Sequence, residues 1–279
     1  MKSLKKFLSI TAILFTATAV TLFMGGPALA QGGMGYGSNG SSGGGSGIST
    51  ITNLPYQVPD DTELEGLVKM REEEKLARDV YLTLGDLWSS PVFSNIARSE
   101  QKHMDALKTL FDKYDLIDPV TYDTIGIFND PDFTELYDNL VTQGNGSIEN
   151  ALLVGATIED LDIFDLNLLI QETDNDDMLV VYQNLVKGSR NHLRAFTSML
   201  AQYNIIYEPQ FLSQEAFDLI ISSDKEFGRY DKEGNSASGG NNGKSMGMNS
   251  SQSFIGYPLK AGQPLKSSVL AALILGVKS

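Results

Sequence analysis

Four stretches of this chain place apolar residues at spacings of three and four, and each carries ionisable or hydroxyl side chains inside the apolar stripe. The first runs Leu67, Met70, Glu74, Ala77, Tyr81, Leu84, and the second Ile96, Glu100, His103, Leu107, Leu110, Tyr114. The third runs Leu152, Gly155, Glu159, Asp162, Leu166, Leu169, and the fourth Leu185, Ser189, His192, Phe196, Met199, Tyr203. That spacing defines the buried face of a helix. An ionisable group there costs several kcal/mol, roughly, unless something pairs with it. Several acids and the only two histidines of the chain facing one core are best paired by a metal ion.

The stripes predict helices over about 62–87, 91–114, 147–173 and 176–203. Asp60, Asp61 or Thr62 can cap the first, and Ser147 the third, with Glu149 at its positive end. The first two helices are joined tightly, as are the last two. Between the pairs lies a long link, 115–146, with a short helix expected over 131–143. The expected fold is all-α: two helical hairpins joined by one crossover, the ferritin-like four-helix arrangement. An internal repeat agrees. Ser99 to Leu107 aligns with Gly188 to Phe196, setting His103 over His192, and Glu74 and Glu159 then occupy equivalent places. A two-fold bundle brings both histidines near one axis.

Composition narrows the chemistry. Cysteine is absent, which removes disulfides, thiolate ligands, iron–sulfur clusters and cysteine nucleophiles. Oxygen and imidazole remain, a donor set suited to iron, manganese or zinc. Residues 1–30 read as an export signal: Lys2, Lys5 and Lys6, an apolar run over 7–24, then Ala28 and Ala30 before Gln31. An uncleaved anchor is the alternative. Removing the three leader lysines takes the formal charge from −14 to −17, which argues against nucleic acid and anionic lipid. Residues 31–55 form a Gly/Ser-rich linker, 56–228 the helical domain, and 229–279 a second Gly/Asn/Ser-rich linker and tail. The apolar run at 269–277 is too short to span a bilayer. Export to the periplasm, cell envelope or exterior is expected, with no transmembrane segment in the mature chain; a homodimer is compatible with the sequence.

The string Glu74-Lys75-Leu76-Ala77-Arg78-Asp79-Val80-Tyr81, followed by Ser99-Glu100-Gln101-Lys102-His103, resembles the ferritin-like superfamily on its rubrerythrin-like branch. More narrowly, Arg71 to Asp79 together with Gly188 to Phe196 resembles a bacterial domain-of-unknown-function family, number 2202, over about 58–225. The resemblance implies a four-helix bundle with a non-haem metal site. Such sites take one Glu from each of two helices and a Glu-x-x-His from each of the others. Here Glu74 and Glu159 are the lone acids and Glu100-x-x-His103 is complete, but Ser189-x-x-His192 has a hydroxyl where Glu is expected. Asp162, one turn beyond Glu159, matches the second acid of the rubrerythrin pair and can compensate for Ser189 in charge. The resemblance also implies a gap: without cysteine the chain lacks the four-cysteine iron site that delivers electrons in rubrerythrins.

The candidate ligands are therefore Glu74, Glu100, His103, Glu159, Asp162 and His192, holding one or two iron ions (Fe2+/Fe3+). Glu74, Glu100 and His103 would hold one ion, and Glu159, Asp162 and His192 the other, with Glu100 or Glu159 bridging. A single ion on Glu100, His103, Glu159 and His192 competes. The expected partners are metal ions and oxygen or peroxide. The expected activity is a ferroxidase-type oxidation of Fe2+; a non-enzymatic, metal-binding or structural module tethered in the envelope is the alternative. Other acids have blander readings. Glu72 and Glu73 are expected on the solvated face, Asp162 is alternatively a surface acid beside Asp160 and Asp165, and Ser189 is a small residue for close packing. Tyr81, Tyr114 and Tyr203 are read as core aromatics that could instead donate to ligating carboxylates. Clustered acids without metal should take up protons near neutral pH.

Overall fold

The computed structural model describes residues 54–236, and among them there are six α-helices and no β-strand. The expected leader, most of both linkers and the apolar run at 269–277 lie outside the described residues. Helix α1, Asp61–Trp88, begins at a capping box. The Asp60 carboxylate accepts from Glu63 N at 2.8 Å, and Glu63 accepts from Asp60 N at 3.0 Å. Helix α2, Pro91–Tyr114, has proline in its first turn, where no amide hydrogen is needed. Helices α3, Pro131–Gly144, and α4, Ile148–Glu172, follow. Ser147 caps α4 by accepting from Asn150 N at 3.1 Å. Helix α5 is Asp176–Gln202 and a short α6 spans Gln214–Ser222.

The four long helices pack as a bundle. Ser89-Ser90 turns α1 into α2, and Thr173-Asp174-Asn175 turns α4 into α5; α1 also packs on α4, and α2 on α5. The apolar members of the stripes interlock at the middle, where the rings of Tyr81, Phe93 and Phe196 meet at centroid distances of 5.3 to 6.1 Å. Among the described residues no helix is long and apolar enough to cross a membrane.

Much of the polar burial lies where the crossover and the C-terminal return lie against the bundle. Lys75 is fully buried: its ammonium binds Asp79 and the Thr124 carbonyl at 2.8 Å, over the Phe128 ring. Asp79 also accepts from Arg78 Nη2 at 2.7 Å and Gly126 N at 3.0 Å. Against the C-terminal return, Arg190 donates to Glu226 from Nε at 2.8 Å, and Arg194 Nη2 reaches the same carboxylate at 3.0 Å.

Two expectations about surface acids need correction. Glu72 and Glu73 are both buried, because the face they occupy is covered. Glu72 accepts from Asn129 N at 2.9 Å and Asp130 N at 3.2 Å, where the crossover enters α3. Glu73 lies 2.9 Å from Lys69 Nζ, which also reaches Asp165 on α4. Asp160, Asp162 and Asp165 are likewise buried, so the surface reading of that trio does not hold.

Candidate metal centre

Near the middle of the bundle the four stripes bring their polar members together. Glu74 from α1, Glu100 and His103 from α2, Glu159 from α4 and His192 from α5 are all buried, with Glu74, Glu100 and Glu159 each 1 % exposed. They form two groups of potential metal ligands, Glu74–Glu100–His103 and Glu100–Glu159–His192. In each group one atom per residue lies within 4.8 Å of the others. Glu100 belongs to both. Its Oε2 is 2.7 Å from His103 Nδ1 and its Oε1 is 2.8 Å from His192 Nδ1. His103 Nδ1 is also 3.1 Å from Glu74 Oε2, and His192 Nδ1 is 3.4 Å from Glu159 Oε2. The two imidazoles stack with centroids 5.6 Å apart, as the repeat requires.

Asp162 stands outside both groups. Its Oδ2 accepts from Ser189 Oγ at 2.6 Å. Ser189 therefore does more than allow close packing: it binds the acid expected to compensate for it. Asp162 remains within the electrostatic reach of Glu74, Glu159 and Glu100, and with burial these hold its carboxyl well above the ordinary range.

Neighbours set the geometry. Tyr81, fully buried, donates to Glu159 Oε1 at 2.6 Å, so the hydrogen-bonding alternative is realised for this tyrosine. It is not realised for the other two. Tyr114 donates to Asp177 at 2.6 Å, and Tyr203 is exposed, at 41%. Gly188 on α5 faces the His103 ring. A Cβ there would sit 2.5 Å from His103 Cε1 and closer still to Nε2, so glycine lets that edge of the ring close on α5 while Nδ1 faces the carboxylates.

The donors and acceptors do not balance. Glu74 Oε1, both Glu100 oxygens and His192 Nδ1 make no hydrogen bond of acceptable geometry, although all are buried. Each Nδ1 has at most one hydrogen for the several carboxylate oxygens around it. A cation among them would satisfy oxygens and ring nitrogens together, and the oxygen and imidazole donor set suits iron, manganese or zinc. The charges reflect the crowding. Burial raises the Glu74 carboxyl to about 7, with His103 opposing and Glu100 adding to the shift. Burial also raises Glu159. Burial alone would raise Glu100 too, but the two imidazoles hold it below the ordinary range. For the histidines burial is outweighed by the facing carboxylates: His192 is pushed up to about 10 and His103 well above its usual value.

Fold and site together define an all-helical protein with buried carboxylate–histidine groups that can hold metal ions. The chain belongs to the uncharacterized protein domain family DUF2202, which it matches over residues 63–224. It is 57% identical over 181 residues to the uncharacterized protein MJ0754 of Methanocaldococcus jannaschii, covering 65% of this chain and 98% of that protein. The crystal structure of hypothetical protein MJ0754 superposes with a TM-score of 0.62, over 62% of this chain and 99% of that one.

Proposed function

We propose that this protein is an exported, ferritin-like protein of the rubrerythrin-like branch that binds two iron ions and oxidises Fe2+ with oxygen or peroxide. One observation carries the reading: the two oxygens of Glu100 are divided between the two histidines, at 2.7 and 2.8 Å. Glu100 would be shared between two ions, with Glu74 and His103 holding one and Glu159 and His192 the other. Ferrous iron bound there would supply the electrons that reduce the oxidant, one from each ion.

The chain's own residues do the rest. Tyr81 orients Glu159 through its hydroxyl, and Gly188 leaves room for the His103 ring. Both imidazoles must give up the Nδ1 proton to bind metal, so loading releases protons. With metal bound, Asp162 would supply a fourth negative charge beside the ligand carboxylates of Glu74, Glu100 and Glu159, balancing two divalent ions where Ser189 stands in place of a glutamate. The absence of cysteine supports ferrous iron as its own reductant, since the chain has no thiolate site for relaying electrons. The leader-like residues 1–30 support export.

The test is to strip the protein of metal, add Fe2+ and follow oxygen consumption while counting iron per chain by elemental analysis. Two ions per chain with oxygen uptake above the buffer rate is the expected result. One ion per chain overturns the pair. Tight retention without turnover establishes the non-enzymatic module instead. In Asp162→Asn the iron count should fall from two toward one.

A further inference from the structure

A second buried charge cluster adjoins the centre between α1 and α4. Lys69 Nζ lies 2.9 Å from Glu73 Oε1 and 2.7 Å from Asp165 Oδ2. The carboxylate side chains are more than nine-tenths buried, at 7% and 9% exposure, whereas the Lys69 side chain is 36% exposed. Neither oxygen of Glu73 makes a hydrogen bond of acceptable geometry. An ordinary surface ion pair needs one acid. Here one partly exposed ammonium covers two buried acids, and occupies a place that suits a doubly charged cation.

The position of the pair gives it a use. Glu73 precedes Glu74, and Asp165 lies one turn beyond Asp162 on α4. Asp162 in turn is within the field of Glu74 and Glu159. The Lys69 cluster is thus one residue along α1 from the ligand Glu74, and one turn along α4 from Asp162. We propose that Glu73 and Asp165 form a transfer site for a divalent cation on its way from solvent to the metal centre, closed at rest by the Lys69 ammonium. This rests on the metal-centre reading above. A cation arriving at the pair displaces the ammonium into water, which its exposure allows, and passes inward along the acids.

The test uses Co2+ as the probe, with stopped-flow visible absorption for the rate of uptake and equilibrium dialysis for the end point. In Glu73→Gln/Asp165→Asn uptake should slow at least tenfold while Co2+ per chain at equilibrium is unchanged. In Lys69→Met, which leaves both acids in place, uptake should quicken several-fold, and a Mn2+-soaked crystal should show an anomalous peak between Glu73 and Asp165. Rates within twofold of the parent in the folded Lys69→Met protein, with no such peak, overturn the transfer site even if the double variant fails to fold. A parent chain that retains no Co2+ overturns the metal centre itself, a separate failure seen in the end point rather than the rate.

Discussion

Replacing Gly188 by alanine sets two physical effects against each other at a single atom. In a helix interior the change should stabilise the fold by about 1 kcal/mol, because glycine is the poorer helix former. The new methyl, however, would sit 2.5 Å from His103 Cε1, and the ring must turn or α5 must shift. Overpacking of this kind costs about 1–3 kcal/mol, so the metal-free protein should end between unchanged and about 2 kcal/mol less stable. Metal binding has no such compensation. Turning the ring takes Nδ1 away from Glu74 and Glu100, and loss of ligand orientation costs roughly 10- to 100-fold in affinity. The measurements are urea unfolding of the metal-free protein and competitive titration of Co2+ against a chelator. Parental Co2+ affinity in Gly188→Ala would show that His103 needs no such seat, and would refute the reasoning.

Other outcomes follow from the same geometry. Tyr81→Phe leaves Glu159 Oε1 without its donor, and should cost about 1–3 kcal/mol in urea unfolding and weaken metal retention measured by dialysis. Saturating Fe2+, Mn2+ or Zn2+ at 100 times the dissociation constant should stabilise the fold by about 2.7 kcal/mol; an unchanged Tm in calorimetry counts against the centre. For Glu226, burial raises the carboxyl, but its bonds to Arg190 outweigh this and hold it below its ordinary value of 4.5. Its contribution is therefore complete above pH 4.5 and lost as pH falls through the lower, folded value. Denaturation scans below pH 4.5 should show a shallower acid loss in Glu226→Gln than in the parent.

The helices were legible because the burial pattern that makes them is local. Four long stripes at spacings of three and four correspond to α1, α2, α4 and α5, and the caps at Asp60 and Ser147 are side chains acting within one turn of their own helix. The convergence of Glu74, Glu100, His103, Glu159 and His192 was readable for the same reason, since each is an ionisable group on an apolar stripe. What was not readable depends on partners distant in the chain. Nothing in the run Glu72-Glu73-Glu74 tells that the crossover would supply amides to Glu72, or that α4 would set Asp165 beside Lys69 and Glu73. Helix α6 is short and follows an irregular return, and no helix was expected after 203. The pairing of Ser189 with Asp162 needed the spatial register of α4 against α5, which periodicity within either helix does not contain.

Asp160 and Glu159 are neighbours on one turn of α4 with opposite attachments. Asp160 accepts from Tyr207 Oη at 2.9 Å, Gln210 N at 2.5 Å, Phe211 N at 3.1 Å and Leu212 N at 2.9 Å, while Glu159 lies in the centre. The polypeptide that returns after α5 is thus tied to the side chain next to Glu159 on α4. Loosening residues 207–212 would therefore free the turn of α4 that sets the Glu159 carboxylate, so a strap outside the bundle helps fix a group inside it.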